Sequence, residues 1–450
     1  MKSIWDCRES GKKRDRRRLP ERAETVVIGG GMAGILTGWL LQEAGIEAVV
    51  LEALEVGSGQ TGKTTAKITS QHGLIYDKLT NTLGEEAAGQ YARTSQAAID
   101  EYERIIRKKK IDCGFTKLPA YLYTETEEGA AKLERERTAA VRAGIPASIV
   151  YETDLPFAVK RALKFENQAQ FYPLEFLYEL SDDLRVYEHT KVLKVNGHEV
   201  MTTRGTITAD RIVFASHFPI LNWPGFYFMK MYQERSYVLA LENMNGENLD
   251  GIYYGIDADG LSVRSAGDLI LLGGMGHRTG ESPMESPYDA LRKRAKEIWG
   301  NVTEKAVWSA QDCMTLDSVP YIGKFSRLRP DWYVATGFGK WGMTNSMVSA
   351  LIIRDAITGK HGQDWQVFSP QRKLVRASRQ NLFRNLGHAA KNFFVPGGPR
   401  CAHLGCRLEW NRTEKTWDCP CHGSRYEKCG NLIDNPSKKS IKKPGPRSSL

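Results

Sequence analysis

One local pattern near the N-terminus constrains the fold more than any other part of the chain. A β-branched run at residues 25–28 leads directly into Gly29-Gly30-Gly31-Met32-Ala33-Gly34, and an amphipathic stretch follows at 35–44. A second apolar run at 47–51 ends at Glu52. This order of strand, G-x-G-x-x-G turn, helix, strand and acid is the fingerprint of a dinucleotide-binding βαβ unit. The sequence therefore predicts a Rossmann-type domain.

Each part of this pattern has a physical role. Gly29 allows the tight turn, Gly31 lets the backbone approach a pyrophosphate, and Gly34 lets the helix pack closely on the strand. The helix N-terminus offers free N–H groups and a positive dipole to the phosphates. Glu52 can accept hydrogen bonds from the ribose hydroxyls.

A second glycine-rich match lies just downstream. Residues 57–64 fit the P-loop pattern G-x-x-x-x-G-K-[ST]. A P-loop needs a strand that ends at its first glycine, and an NTPase needs a further apolar strand that ends in a magnesium-binding Asp. The preceding strand already ends at Glu52, and the later apolar runs at 211–215, 269–272 and 332–335 do not end in Asp. An NTPase is therefore kept only as an alternative.

Together with three later segments, the motif resembles the FAD-binding half of the D-amino-acid-oxidase-like superfamily, which includes glycine and sarcosine oxidases. Residues 209–215 are similar to the family's returning strand, 317–323 to the strand and turn that follow, and 335–344 to the glycine-rich loop near the flavin. Lys63 stands where some members have a flavin-linked histidine, so no covalent bond is expected. The resemblance implies FAD contacts at Gly29, Gly31, Met32, Ala33, Gly34, Glu52, Ala53, Thr61, Gly62, Thr64, Thr65, Val192, Gly337, Gly339, Gly342, Met343 and Thr344.

Alternating apolar patterns between the FAD segments, such as 236–241 and 269–272, predict an antiparallel sheet that forms a substrate domain over the flavin. Arg264 and His277 lie near its strands and are candidates to bind a carboxylate or move a proton, with a solvated surface role as the alternative. The resemblance places Lys340 near the flavin, where a cation would stabilise reduced flavin or activate oxygen, with a lysine turned to solvent as the alternative.

The C-terminal region concentrates cysteines and histidines. Its first half reads Cys401-Ala-His403-Leu-Gly-Cys406, its second half reads Cys419-Pro-Cys421-His422, and Cys429 follows. Zinc fingers group Cys with Cys and His with His, whereas each half here supplies one Cys and one His. That suits a Rieske [2Fe–2S] cluster, in which two cysteines bind one iron and two histidines bind the other. Zinc stays open as an alternative.

The region resembles Rieske proteins, and the resemblance implies four cluster ligands: Cys401, His403, Cys419 and His422. It also implies a Cys406–Cys421 disulfide and hydrogen bonds from Ser424 and Tyr426 to the cluster sulfur atoms. The chain order is similar to that of Rieske-bearing FAD-dependent oxidoreductases of bacteria. One departure is that residues 370–394 are predicted to be helical, so the β-structure that usually precedes the first ligand loop is shortened.

We therefore predict an α/β (α+β) chain in which a Rossmann-type FAD-binding domain carries an antiparallel-sheet substrate domain and a small all-β Rieske-like module. The predicted division is a basic extension (1–22), the oxidoreductase (23–392), the Rieske module (396–436) and a basic tail expected to be disordered (437–450). Within the oxidoreductase, the FAD-binding parts are 23–109, 161–224 and 308–392, and the substrate domain is 110–160 and 225–307.

The charge is uneven along the 450 residues. Residues 360–450 carry eighteen Lys and Arg against six Asp and Glu, whereas the body before them is acidic. This excludes a uniform nucleic-acid-binding surface and suits an acidic electron-carrier protein or a quinone-linked acceptor. Arginines 16–18 precede an apolar run, but no cleavage site follows and no run of eighteen apolar residues occurs, so we expect a cytoplasmic protein.

The two cofactors together predict an enzyme. Reduced FAD releases two electrons, whereas a [2Fe–2S] cluster takes one at a time. The predicted reaction is oxidation of a C–N bond of an amine or amino acid, with single electrons passed to the cluster and an external acceptor. An inward relay that runs from the cluster to the flavin, and a redox adaptor without a small substrate, remain alternatives.

Overall fold

The computed structural model describes residues 2–5, 18–242, 248–281, 283–360, 362–373 and 376–442. Most of the predicted basic extension and the tail from residue 443 onward lie outside the described residues. The strands are β1 (Arg22–Ile28), β2 (Ala48–Leu51), β3 (Lys67–Ile68), β4 (Thr116–Thr124), β5 (Ala147–Val150), β6 (Arg161–Gln170), β7 (Arg185–Tyr187), β8 (Val192–Asn196), β9 (Glu199–Thr202), β10 (Gly205–Phe214), β11 (Met231–Glu242), β12 (Ile252–Gly255), β13 (Ser262–Ala266), β14 (Leu269–Arg278), β15 (Glu304–Thr315), β16 (Tyr321–Ser326), β17 (Arg329–Thr336), β18 (Glu409–Asn411), β19 (Thr416–Asp418), β20 (Arg425–Glu427) and β21 (Leu432–Asp434). The helices are α1 (Met32–Glu43), α2 (Ile75–Leu83), α3 (Glu85–Lys109), α4 (Glu127–Arg142), α5 (Pro173–Ser181), α6 (Tyr227–Lys230), α7 (Pro287–Trp299), α8 (Gly342–Thr358) and α9 (Arg376–Phe394).

The first sheet has the strand order β16-β17-β10-β1-β2-β7, with the hairpin β8–β9 attached to β10. The register of their pairs shows that strands β17, β10, β1, β2 and β7 run parallel. Strand β16 and the hairpin β8–β9 add antiparallel pairs to the sheet. Helix α1 links β1 to β2 and is buried along almost its whole length between this sheet and α8. The predicted Rossmann-type domain is confirmed.

The second sheet has the order β15-β11-β14-β13-β12-β4-β6-β3, with β5 paired to β6. Its strands are antiparallel except for the parallel pair β12–β4, so the predicted antiparallel sheet is present. It also takes in β3, β6 and residues 308–315 of β15, which the predicted division assigns to the FAD-binding part. The reason is that β4–β6 and β11–β15 form long continuous ladders.

The third sheet is small, with the antiparallel order β18-β19-β20-β21. Its core consists of the cysteines of the two C-terminal loops together with Leu408, Trp417 and Tyr426, all buried. The predicted helix at 370–394 forms as α9 and reaches the first loop directly, as expected. The module therefore rests on the second sheet, because its own base is short.

The P-loop alternative is not supported by the backbone. Residues Gln60–Lys63 form one turn of 3₁₀-helix, and Thr64 continues in an extended conformation toward β3. No helix begins at Lys63, so the arrangement that a P-loop requires is absent from this described segment. In the described part of the chain, no helix combines the length and hydropathy needed to cross a lipid bilayer.

Candidate functional site

Two glycines of the turn after β1, Gly29 and Gly34, leave no room for a side chain. Gly29 has φ = +116°, and a Cβ there would lie 2.5 Å from the carbonyl oxygen of Ala215. A Cβ on Gly34 would lie 1.8 Å from the carbonyl oxygen of Gly29. Helix α1 begins without a side-chain cap and without an acidic residue in its first turn. Its positive end therefore suits the pyrophosphate of FAD.

The predicted acid and the predicted threonine meet at this turn. Gly30 N donates to Glu52 Oε2 at 2.6 Å, and Leu54 N donates to Glu52 Oε1 at 2.8 Å. Burial raises the pKa of Glu52 above its usual value. Met32 N donates to Thr61 Oγ1 at 2.9 Å. The structure thus brings together residues from β1, β2 and the following loop, and these residues fit FAD.

The loop that carries Thr61 to Thr65 is held by side chains from distant segments. Trp308 Nε1 donates to Lys63 O at 2.9 Å, and Trp5 Nε1 donates to Thr64 O at 2.7 Å. Arg264 Nε donates to Thr65 O at 2.5 Å. Burial lowers the pKa of Arg264 to about 9, and only 2% of the residue is exposed. The structure therefore places Arg264 under the FAD loop and not in an open cavity.

The second glycine-rich loop lies against β15. Gly339 N donates to Cys313 O at 2.9 Å, and a Cβ on Gly337 would lie 2.3 Å from Thr315 Cγ2. Thr344 Oγ1 donates to Thr69 O at 2.8 Å and accepts from Thr69 N at 2.9 Å. These contacts join the start of α8 to the segment after β3, so the two predicted FAD loops are adjacent.

Between these loops lies a group of four side chains that we call the charged cluster: Lys67, Glu234, Asp312 and Lys340. Lys340 Nζ lies 2.7 Å from Ser236 Oγ, 3.3 Å from Glu234 Oε2 and 3.8 Å from Asp312 Oδ2. Although burial opposes the charge, Asp312 and Glu234 raise the pKa of Lys340. Burial is also the main reason that the pKa of Asp312 rises to about 6.

Lys67 belongs to the same cluster but is held differently. Its Nζ donates to Ser262 Oγ at 2.7 Å and lies 5.3 Å and 5.5 Å from the ring centres of Tyr254 and Trp341. Burial, followed by the charges of Arg264 and Lys340, lowers the pKa of Lys67 to about 7. Lys67 is not among the residues predicted from the sequence, and its position directly after the Gly/Thr-rich loop is the signal that could have found it.

His277 does not join the charged cluster. It is paired in register with Arg235, and successive residues of a strand face opposite sides of the sheet. His277 therefore lies on the face opposite Glu234, where its Nε2 is 2.9 Å from Tyr237 Oη. Of the three predicted catalytic residues, the structure places only Lys340 in this cluster.

The four predicted cluster ligands converge in the C-terminal module. The rings of His403 and His422 have centres 5.0 Å apart. The Nδ1 atoms of both histidines are buried and have no hydrogen-bond partner among the described residues. Burial lowers the pKa of His403 to about 4 and that of His422 to about 3, so both rings are neutral. Neutral imidazoles with unpartnered nitrogens are the form that binds a metal.

The thiols complete this arrangement. The sulfur atoms of Cys406, Cys419 and Cys421 lie within 4.8 Å of one another, but Cys406 and Cys421 form the predicted disulfide, which is confirmed. Cys419 is left as a free, buried thiol, like Cys401. Hydrogen bonding by Cys419 is the main cause that lowers the pKa of Cys401. The donor set of two thiols and two imidazoles fits a [2Fe–2S] cluster.

The predicted hydrogen-bond donors lie beside these ligands. Tyr426 Oη is 3.3 Å from Cys401 Sγ and accepts from Ala402 N at 3.1 Å. Ser424 Oγ accepts from Ser437 N at 3.0 Å, and the Ser424 side chain also contributes to the lowered pKa of Cys401. Both side chains are fully buried.

Strands β11 and β15 supply the base that the module lacks. Gln233 Nε2 donates to His422 O at 2.7 Å, and Gln311 Nε2 donates to Gly423 O at 2.8 Å. Arg235, which is fully buried, lies 3.5 Å from Asp418 Oδ2. These contacts hold the second ligand loop on one face of the sheet whose other face carries the charged cluster.

Comparison with known proteins agrees with this two-part site. Residues 24–356 match the family of FAD dependent oxidoreductases (DAO), and residues 371–445 match the Rieske [2Fe-2S] domain. The chain belongs to the DAO family of FAD dependent oxidoreductases and carries a C-terminal Rieske domain. FAD and a [2Fe–2S] cluster are its cofactors, which confirms both predictions.

The relatives show both parts. A protein of Bacillus subtilis, YhfW, named as a Rieske 2Fe-2S iron-sulfur protein, is 34% identical over 472 residues, covering 93% of this chain and 92% of its own. L-proline dehydrogenase from P. horikoshii is 18% identical, with a TM-score of 0.67 over 79% of this chain and 98% of its own. Glycine oxidase from Geobacillus kaustophilus is 21% identical, with a TM-score of 0.66 over 79% of this chain and 100% of its own.

Proposed function

We propose that this FAD-dependent oxidoreductase oxidises a C–N bond of an amine or amino acid and passes the electrons singly through its Rieske cluster to an external acceptor. The observation that carries this proposal is that the strand pair β11–β15 contributes side chains to both sites. Glu234 and Asp312 are paired across the two strands and belong to the charged cluster on one face of the sheet. The adjacent pair, Arg235 and Gln311, lies on the other face and contacts the second ligand loop and Asp418. Two redox groups held on opposite faces of one sheet would be separated by little more than that sheet, which favours direct electron transfer between them.

The chemistry of the two groups is complementary. FAD held at the glycine-rich turn would supply a two-electron acceptor for the hydride of the C–N carbon, and a cluster held by Cys401, His403, Cys419 and His422 would supply a one-electron route to the acceptor. The substrate becomes an imine, which takes up water and releases ammonia or an amine with a carbonyl product. Each turnover thus delivers two electrons to the acceptor and two protons to water.

The chain's own residues would supply the proton chemistry of this reaction. Only a neutral amine releases a hydride readily, so a bound ammonium must first lose a proton. Lys67 is suited to accept that proton because its pKa is lowered to about 7. Glu234 and Asp312 would attract a cationic substrate, and Lys340 would offer positive charge beside the flavin.

The solved structures of similar fold support this choice of bond. One is named as an L-proline dehydrogenase and another as a glycine oxidase, and both names refer to substrates with a C–N bond. For this chain the outward direction of the relay, an acidic carrier or quinone-linked acceptor, the predicted domain division and a cytoplasmic location are parts of the same proposal.

Anaerobic mixing with a panel of amines and amino acids tests the proposal. At least one compound should bleach the flavin absorbance and then produce the EPR signal of a reduced Rieske cluster. The matched variant Cys419→Ser should lose that signal and the reduction of one-electron acceptors while the bleaching persists. If dithionite reduces the flavin and no compound of the panel does, the enzyme does not oxidise C–N bonds of this class.

A further inference from the structure

One side chain of the oxidoreductase part reaches a predicted ligand of the cluster. Asn222 lies in the loop between β10 and α6, and its Oδ1 accepts a hydrogen bond of 2.7 Å from Nε2 of His403. Both side chains are partly buried, so water competes weakly for this bond. The contact joins the first ligand loop to a segment that is remote from it in the chain.

This hydrogen bond selects one tautomer of His403. An amide oxygen only accepts, so Nε2 must carry the ring proton and Nδ1 must carry the lone pair. The Nδ1 atom is buried and without a hydrogen-bond partner among the described residues. The reversed amide orientation would donate to Nε2 and put the proton on Nδ1, which would prevent metal binding there. Asn222 therefore presents His403 in the form that binds iron.

The contacts of the other histidine among the described residues are different. The ring of His422 packs edge-on against Phe228, with ring centres 5.7 Å apart. Its backbone carbonyl accepts the hydrogen bond from Gln233. Phe228 also packs edge-on against His403, with ring centres 6.2 Å apart, so the hydrogen bond to Asn222 is what distinguishes the contacts of His403.

We propose that Asn222 is a positioning residue that sets the reduction potential of the Rieske cluster through His403. An acceptor on the outer N–H of a metal-bound imidazole makes the ring a stronger electron donor to the metal. Stronger donation stabilises the oxidised iron, so Asn222 lowers the potential. The inference rests on His403 as a cluster ligand and is independent of the identity of the substrate.

Two substitutions test the proposal in opposite directions. Asn222→Asp keeps an acceptor and strengthens it, so the midpoint potential should fall below that of the wild type. Asn222→Ala removes the acceptor, so the potential should rise above it. Both potentials are measured on the full chain by anaerobic redox titration followed by EPR. The control Asn431→Ala removes an asparagine that contacts Glu427 and Cys429 and no predicted ligand, and it should leave the potential unchanged.

A second readout separates the hydrogen bond from a general effect of charge. Pulsed EPR on protein with ¹⁵N-labelled histidine reports the remote Nε2 of each ligand, and one of the two couplings should change in both variants. An alanine potential at or below the wild type, or unchanged nitrogen couplings, overturns the proposal. If Asn222→Ala loses its cluster, the potential and couplings of Asn222→Asp decide. A wild-type protein without histidine couplings would instead overturn the ligand assignment of His403.

Discussion

Gln311 and Gln233 form a hydrogen-bonded pair beneath the second ligand loop, with Nε2 of Gln311 2.6 Å from Oε1 of Gln233. Each amide also donates to a backbone carbonyl of that loop, at His422 and Gly423. A Cβ on Gly423 would lie 2.6 Å from Gln233 Cβ, so the loop and the sheet are in close contact. The pair therefore replaces part of the β-structure that the short module lacks.

Substitution Gln311→Leu should weaken the attachment of the second ligand loop to the sheet. It removes the donor to the Gly423 carbonyl and to Oε1 of Gln233, and each buried group left unpaired costs about 1–3 kcal/mol. We expect a lower free energy of unfolding in urea and faster bleaching of the cluster absorbance. The control Gln42→Leu changes an exposed amide that donates to Asp183 O, and it should shift stability by no more than about 0.5 kcal/mol. Equal stability of the two variants would contradict the prediction.

Substitution Gly34→Ala should abolish FAD binding. The added Cβ would lie 1.8 Å from the carbonyl oxygen of Gly29, so either α1 or the turn must move away from the pyrophosphate position. FAD released on denaturation of the purified variant measures the loss. Gly387→Ala on α9 is the matched control, because no atom lies within 4 Å of its added Cβ, and alanine favours a helix by about 0.5–1 kcal/mol. A Gly34→Ala protein that keeps stoichiometric FAD would refute this expectation.

The pH dependence of flavin reduction should show the titration of Lys67. The neutral amine is the proton acceptor and its pKa is about 7, so the rate of reduction should rise about tenfold per pH unit below 7 and level off above it. Stopped-flow absorbance under anaerobic conditions measures the rate. Lys67→Met should lose this limb, whereas the surface variant Lys305→Met should retain it. Retention of the limb by Lys67→Met would assign the proton transfer to another group.

Substitution Lys340→Met should lower the reduction potential of the flavin. Reduced flavin is anionic or electron-rich, and the buried ammonium beside Asp312 and Glu234 would stabilise it. A loss of about 1.4 kcal/mol corresponds to a tenfold change in the equilibrium between oxidised and reduced flavin. Equilibration with a reference dye measures this change, and Lys305→Met serves again as the control. An unchanged equilibrium would show that Lys340 does not act on the flavin.

Local motifs explain why much of the site could be predicted from the sequence. The turn from Gly29 to Gly34 and the acid Glu52 belong to one βαβ unit, so their spacing in the chain fixes their arrangement in space. The ligand set from Cys401 to His422 is also local, and the residue types name the metal chemistry. The disulfide partners Cys406 and Cys421 were implied by the same resemblance and are joined in the structure.

Residues that meet only through tertiary structure could not be predicted in this way. Glu234, Asp312 and Lys67 come from three separate strands, and no spacing in the chain brings them together. Asn222 reaches His403 for the same reason, from a loop with no motif.

Two residues that the sequence proposed as catalytic lie outside the charged cluster in the structure. Arg264 is a cation on a strand, but its Nε is bound by the carbonyl of Thr65, which the sequence could not place. His277 is paired with Arg235, and the next residue, Arg278, is paired with Glu234. A shift of one residue along β14 would therefore have put His277 on the face of the charged cluster. The face on which a strand residue lies depends on how the strand is paired, and a shift of one residue in the register moves every side chain to the other face.

Strand β11 has a consequence for how this protein can change over evolutionary time. Its alternating residues serve two redox sites, with Glu234 and Ser236 on one side and Gln233 and Arg235 on the other. Substitutions can adjust one site at a time. A one-residue insertion or deletion would instead exchange the two sets of side chains and damage both sites together. We therefore expect relatives to vary in the residues of β11 far more than in its length.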